Sequence, residues 1–256
     1  SAPVPLPGLA VPTDDAEPLE LLFIDTTLAQ AQQQQTLLQA DGLRLLRRQV
    51  LAGVGGVLST YRAPDAQRMA RWQTPPATGE ANHRYGLLGT DDTALQSREL
   101  VGWPRARGAC PASPRIGLID TALDIAHPAL MGARIDVVNL LPRGVAAAPA
   151  DHGTAVASIL VGQRDTPGLL PQARLLAVAV VRQRGTVSDT TAELLIRAVD
   201  RLVQSEVAVI NLSLGGPANR WLGHVLQQAG ARGTALVAAA GNGGPQADPV
   251  FPASHP

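Results

Sequence analysis

Five nearly uninterrupted apolar runs dominate the second half of the chain: Ile116–Ile119, Ile135–Leu141, Leu175–Val181, Val207–Leu214 and Ala235–Ala240. A strand with one face in water alternates apolar and polar residues, whereas a run that is apolar throughout must be covered on both faces. Helical patterns separate the runs. Thr190-Thr-Ala-Glu193 has the form of a capping box, and Leu195, Val199, Leu202 and Val203 then recur at helical spacing. Trp221–Ala231 reads as a second helix, closed by Gly233. Strands alternating with helices in this way predict an α/β three-layer sandwich with a mostly parallel sheet over residues 112–256. Aromatic residues make up only 3 % of the chain, so its core must be packed from Ala, Val, Leu and Ile.

The first half has a different grain. Residues 1–17 carry four prolines and no periodicity, and read as a flexible leader. Glu20–Ile24 is a short apolar strand. Thr27 begins a helix with Gln30 placed to close a capping box, and Gly42 ends it. Leu43–Leu51 and Val57–Tyr61 are strands flanking the Gly53-Val-Gly-Gly56 turn, Pro64-Asp65 starts a helix through about Gln73, and a last strand runs near Ala81–Tyr85. The order β-α-β-β-α-β over residues 18–86 predicts a small α+β ferredoxin-like domain. Residues 87–111 are polar and turn-rich and read as a linker. It holds Cys110, the chain's one cysteine, which has no partner for an internal disulfide and no paired base beside it.

Charge excludes several partners. The 21 basic residues, all arginine, balance 21 acidic ones, so nothing draws the chain electrostatically to nucleic acid or an anionic membrane. No apolar stretch approaches the roughly 20 residues that cross a bilayer. The opening Ser-Ala-Pro-Val-Pro-Leu-Pro-Gly resembles the exposed start of a mature exported protein, which predicts a secreted or periplasmic location.

Three polar residues stand where chemistry is done in such folds. Asp120 ends the first apolar run, and open parallel sheets carry their functional crevice at the carboxyl ends of the strands. A carboxylate there can accept an imidazole N–H and hold one tautomer. His152 falls in the first turn of a helix whose apolar face is Val156, Ile159 and Leu160. Gly153 lets the backbone approach closely, and Thr154 can bond locally. Asn242 follows Ala238-Ala-Ala-Gly241, and its amide can donate to a developing oxyanion. Singly, each has a plain structural reading: a turn-forming Asp, a surface or core His, a Gly-Asn-Gly turn.

Taken together, Arg115-Ile-Gly-Leu-Ile-Asp-Thr121, Asp151-His-Gly-Thr-Ala-Val-Ala157 and Ala238-Ala-Ala-Gly-Asn-Gly243 resemble, in this order, the motifs of the subtilisin (S8) family of serine peptidases. The resemblance covers about residues 112–256. It implies that Asp120 orients His152, that His152 is the general base, and that Asn242 completes an oxyanion hole. Val209-Ile-Asn-Leu-Ser-Leu-Gly-Gly216 resembles the family's substrate-binding strand, so an extended peptide is expected to add along Ser213, Leu214 and Gly215. Ala240 and Gly241 are expected in the wall of the pocket for the residue before the scissile bond. Asn211 is read as structural, its side chain buried in the strand. The 18–86 unit resembles a subtilisin propeptide, with Asn82-His-Arg-Tyr85 in the place of the tail that lies in the cleft and cleavage following it. The resemblance implies no cofactor. Ala129 stands where many relatives carry a calcium-binding carboxylate, so no metal site is expected.

The resemblance has gaps. Ala122 and Ala155 replace the family's Gly and second His, both outside the proposed triad. The nucleophile's Gly-Thr-Ser-x-Ala segment occurs nowhere, and Ser113, Ser158 and Ser213 are not on a Gly-flanked helix start. Loss of that helix would bare apolar sheet surface at about 25 cal/mol per Å². The expectation is therefore a nucleophilic Ser beyond residue 256, on a continuation or a separate C-terminal fragment, with the 256 residues alone inactive. The function implied is a serine endopeptidase zymogen acting on polypeptide substrates by acyl transfer. The alternative is a non-catalytic peptide- or partner-binding protein. A nucleotide site is not expected, because Gly53-Val-Gly-Gly does not fit G-x-G-x-x-G.

Overall fold

The computed structural model describes residues 16–88, 113–163, 168–244, 246–248 and 250–255. The first of these stretches folds as β1 (Ala16–Asp25), α1 (Leu28–Ala40), β2 (Arg44–Val50), β3 (Val57–Arg62), α2 (Ala66–Gln73) and β4 (Glu80–Leu87). The four strands pair antiparallel in the order β2-β3-β1-β4. Local chemistry sets the helix starts. The Gln30 N–H donates to Thr27 Oγ1 and the Thr27 N–H to Gln30 Oε1, each at 3.2 Å, and Asp65 caps α2. A small core of Leu21, Phe23, Leu38, Leu43 and Tyr61 lies between sheet and helices, with the Phe23 and Tyr61 rings edge to face.

The boundaries differ from expectation at both ends. Ala16 and Glu17 belong to β1, not to a leader, because Ala16 pairs with His83. Leu87 and Leu88 are not linker: Leu87 ends β4, and the Leu88 N–H bonds to the Ser213 carbonyl. The rest of the expected leader and linker, Cys110 included, falls outside the described residues.

The second stretch carries β5 (Arg115–Asp120), a 3-10 turn at Pro128–Leu130, β6 (Arg134–Asn139), α3 (Asp151–Val161), β7 (Arg174–Ala179), β8 (Arg182–Arg184), β9 (Val187–Thr191), α4 (Ala192–Gln204), β10 (Val209–Leu212), β11 (Leu214–Gly215), α5 (Arg220–Ala231) and β12 (Ala235–Ala238). Five of its strands form a wholly parallel sheet in the order β12-β10-β5-β7-β6, matching the apolar runs. One face packs Ile119, Val178, Ile210 and Leu212 with residues of α4 and α5; the other packs Ile116, Leu118, Leu175 and Ala177 with Ala157 and Val161 of α3. These are the three layers.

Three local readings are corrected. The cap of α4 is Thr191, not Thr190, and Glu193 is not a capping partner: it pairs with Arg47 of β2 instead. The buried face of α3 is Gly153, Ala157 and Val161, spaced four apart, whereas Val156, Ile159 and Leu160 are half-buried. Asn211 is half-buried, not buried; its amide donates to Ser213 Oγ at 2.8 Å. The β8–β9 hairpin has no apolar run, and periodicity could not reveal it.

The two stretches share a strand. β4 lies beside β1 in its first half and between β9 and β11 in its second, so seven strands join into one sheet. Around this seam the Gly53 and Val54 N–H groups donate to Asp200 Oδ1 at 2.7 and 3.1 Å, and Arg47 grips Glu193 through two bonds of 2.7 and 2.6 Å. The Trp221 indole donates to the Leu22 carbonyl.

Candidate active site

Asp120 is the last residue of β5 and almost wholly buried, at the carboxyl edge of the parallel sheet. The Thr121 N–H donates to its Oδ1 at 2.7 Å. The first turn of α3 supplies the next contacts. Its Gly153 N–H donates to Thr121 Oγ1 at 2.9 Å, and Thr154 Oγ1 accepts the Asp124 N–H at 2.9 Å. A Cβ on Gly153 would stand 2.7 Å from Thr121 Oγ1 and 3.0 Å from the Ala122 carbonyl, so only glycine lets α3 come this close. The approach brings His152 Nδ1 to 2.7 Å from Asp120 Oδ1, with the imidazole largely buried.

The other ring nitrogen is engaged too. His152 Nε2 lies 3.1 Å from the carbonyl oxygen of Leu88. A carbonyl has no proton to give, so Nε2–H is the donor. Asp120 Oδ2 is buried and, among the described residues, accepts no hydrogen bond.

Leu88 is held in place by the strand before it. Gly86 pairs with Gly215 of β11 and with Asp189 of β9, Leu87 pairs with Leu214, and Tyr85 with Thr190. The Leu88 N–H donates to the Ser213 carbonyl at 2.9 Å. Ser213, Leu214 and Gly215 thus stand where an added strand was expected, and the strand present is the chain's own β4. The tail that reaches the imidazole is Tyr85–Leu88; Asn82, its expected start, instead donates to Glu20 and accepts the Glu193 N–H. Glycines shape the contact: a Cβ on Gly215 would come within 2.7 Å of Leu88 Cδ1 and 2.3 Å of Val250 Cγ2, and one on Gly216 within 2.7 Å of the Tyr85 ring.

Ala240 and Gly241 reach the same neighbourhood through Val250, whose N–H donates to the Ala240 carbonyl at 3.2 Å and whose side chain faces Gly241. Asn242 is exposed in the turn after Gly241, and its amide makes no hydrogen bond among the described residues. The structure therefore brings Asp120 and His152 together directly and leaves Asn242 apart from that contact. Sequence reasoning missed Leu88, Val250 and β9. The one available signal is Phe251-Pro-Ala-Ser254 beside Val250, which resembles the segment that the subtilisin family places after its oxyanion Asn.

An ionic chain braces the tail on the β9 side. Glu17 accepts from Arg84 at 2.9 Å and from Arg182; Arg182 in turn donates to Asp189 at 2.8 Å, and Arg184 also binds Asp189. Burial works to raise the carboxyls of Glu17 and Asp189, but the arginine hydrogen bonds and charges outweigh it and hold both below the usual carboxylate range. Asp200 is the opposite case: burial pushes it up, against the lowering from the Val54 and Gly53 N–H groups, Gln204 and Arg232.

Residues 112–255 match the sequence pattern of Peptidase_S8, the subtilase family. Subtilisin DY of Bacillus licheniformis is 31 % identical over 150 residues, covering 55 % of this chain and 51 % of that protein. Subtilisin amylosacchariticus of Bacillus subtilis subsp. amylosacchariticus is 29 % identical over 182 residues, covering 67 % and 44 %. The chain spans about half the length of these curated relatives. Among solved structures, fervidolysin from Fervidobacterium pennivorans, described as a keratinolytic enzyme related to subtilisin, superposes with a TM-score of 0.71 over 94 % of this chain and 42 % of its own. At 15 % identity that likeness is one of fold.

Proposed function

Because the chain belongs to the subtilase family, whose members are serine peptidases, we propose that it carries the acid–base half of a peptide-cleaving site, held shut by its own N-terminal unit. The observation that carries this reading is the 2.7 Å contact between His152 Nδ1 and Asp120 Oδ1, with Nε2 turned to a peptide carbonyl. In the reaction, a seryl Oγ attacks the scissile carbonyl carbon while its proton passes to Nε2. Asp120 holds the ring and stabilises the imidazolium. His152 then returns the proton to the departing amine, and water repeats the sequence on the acyl-enzyme. Asn242 is the proposed donor to the oxyanion, moving in from its exposed turn.

We infer that the nucleophile comes from a further segment, continuous with the chain or separate. Val209, Asn211, Ala235 and Val237 share the sheet face beside α3, and Val237 is 51 % exposed among the described residues. A helix laid there would cover this apolar strip and could carry a seryl residue at its start. The 16–88 unit, with its strand order β2-β3-β1-β4, is then a ferredoxin-like inhibitory propeptide, and the chain belongs to an exported zymogen. No helix among the described residues is long and apolar enough to cross a membrane.

A second reading has its own support. β4 is bound through main-chain pairing on both sides without any nucleophile, so the same groove can serve a peptide-binding protein that cuts nothing. Labelling the native protein with a serine-reactive fluorophosphonate separates the two. Label on a segment outside residues 1–256 supports the peptidase; a folded, peptide-binding protein that takes no label supports the binder.

A further inference from the structure

The groove that β4 fills is charged on its β9 side. Gly86 stands opposite Asp189 of β9, and Asp189 opposite Arg182 of β8. Directly opposed residues share a face of a sheet, and so do residues two apart on one strand, so Arg84, Asp189 and Arg182 project to one side. Asp189 is fully buried and held by two guanidinium groups, those of Arg182 and Arg184. The hairpin therefore carries one positive charge that it does not neutralise itself. Glu17 of β1 answers it.

Arg84 is almost wholly buried beside Arg182, and Glu17 stands between the two cations. Glu17 Oε1 accepts from Arg84 Nε at 2.9 Å and also from Arg182 Nη2. Both bonds end on one oxygen, so the two nitrogens are no more than about 6 Å apart, two hydrogen-bond lengths. Glu17 reaches this place because β1 begins beside β4, with Ala16 paired to His83. A peptide that takes the place of β4 brings its own strand and no β1. Under such a strand Arg182 lacks its acceptor, and an arginine at the Arg84 position meets a like charge with no carboxylate between.

We propose that this groove selects peptides carrying glutamate at the Arg84 position, the fifth residue back from the cut, and that Arg182 is the residue that selects it. The proposal rests on the peptidase reading above. Glutamate fits by chain length. Its Oε is the fourth atom out from Cα, as Nε is in arginine, so it arrives where Arg84 Nε lies, within about 6 Å of Arg182 Nη2. A side-chain rotation closes a charge-assisted bond from there. Aspartate is one methylene shorter and reaches less well. The N-terminal unit carries arginine at this position because it carries Glu17 with it; a substrate has to supply the carboxylate itself.

The test uses the native enzyme after its N-terminal unit has departed, and fluorogenic peptides Z-Tyr-Gly-Leu-Leu that keep the chain's own Tyr85–Leu88 and vary only Z, read as kcat/KM. The expected result is at least tenfold preference for Z = Glu over Arg, and at least threefold over Gln. In an Arg182→Met enzyme the Glu and Arg peptides should differ by less than twofold; a tenfold preference kept by that variant overturns the proposal. Should the variant not fold, the parent enzyme carries the test. Its Glu-to-Arg ratio should fall at least threefold between about 20 mM and about 500 mM salt, because salt screens the pairing, and a ratio indifferent to salt overturns the proposal. An enzyme that labels with fluorophosphonate and cuts the Arg peptide as fast as the Glu peptide overturns the preference and leaves the peptidase reading standing. No label and no turnover of any peptide overturns both.

Discussion

The carbonyl oxygen of Leu88 lies 3.1 Å from Nε2 of His152, on the opposite side of the ring from Asp120. The residues are 64 apart in sequence, and the contact joins the end of the N-terminal unit to the proposed base of the second. On the reading proposed above, the carbonyl occupies the ring nitrogen that the base would need free.

Loosening β4 should therefore expose the imidazole. Proline cannot sit in a strand paired on both sides without breaking the ladder, and Gly86 is such a position. Gly86→Pro is expected to raise the rate of His152 carbethoxylation by diethyl pyrocarbonate at least fivefold, followed by peptide mapping. An unchanged rate would show that the tail does not guard the ring.

Gly153→Ala tests the approach of α3. The added methyl meets Thr121 Oγ1 at 2.7 Å and the Ala122 carbonyl at 3.0 Å, and these are parts of a fixed turn. Overpacking of this kind costs about 1–3 kcal/mol, read as a shift in the denaturation midpoint. If the peptidase reading holds, kcat should fall with it, because His152 is the neighbouring residue.

Acid should weaken the brace along β9. Glu17 and Asp189 have lowered carboxyl pKa values in the folded chain, so the stability they contribute is present above their ordinary values of 4.5 and 3.8 and is lost as pH falls through the folded values. Amide exchange in β4, corrected for intrinsic rates, should become at least tenfold faster between pH 6 and pH 3. Arg182→Met should weaken the brace already at neutral pH by about 1–3 kcal/mol, since it strips a hydrogen-bonded partner from buried Asp189.

Asp200 predicts the reverse sign. Its carboxyl pKa is raised by burial, so its contribution is favourable in the protonated form below 3.8 and is lost as pH rises through the folded value. Asp200→Asn keeps an acceptor for the Gly53 and Val54 N–H groups without the buried charge. The variant is expected to match or exceed the parent in urea midpoint at pH 7, and the advantage should vanish near pH 3.

Much of this molecule was legible in its residues, and for identifiable reasons. Thr27 and Gln30 encode the start of α1 because a capping box is made within four residues. The apolar runs at β5 and β7 encode parallel strands because both their faces are buried, whereas the edge strands β6 and β12 keep exposed residues that their apolar runs do not announce. Local pattern placed Asp120 and His152 each at an element end, and it was the resemblance of their motifs to a known family that paired them. Glu193 shows the limit: its spacing fits a cap, but Arg47, 146 residues away, takes it.

By itself, then, the sequence determined what depends on neighbours along the chain: which segments are strands or helices, where they begin, and which residues carry titratable or donor groups to the sheet edge. Tertiary structure alone decided that β4 belongs to both halves, that Val250 and Leu88 meet over Gly215, and that Nε2 of His152 is spoken for by a carbonyl. Those contacts are main-chain pairings and van der Waals fits between distant segments. Strand edges offer the same N–H and C=O groups whatever their side chains, so no local pattern names their partner, and only the packing of the whole chain selects it.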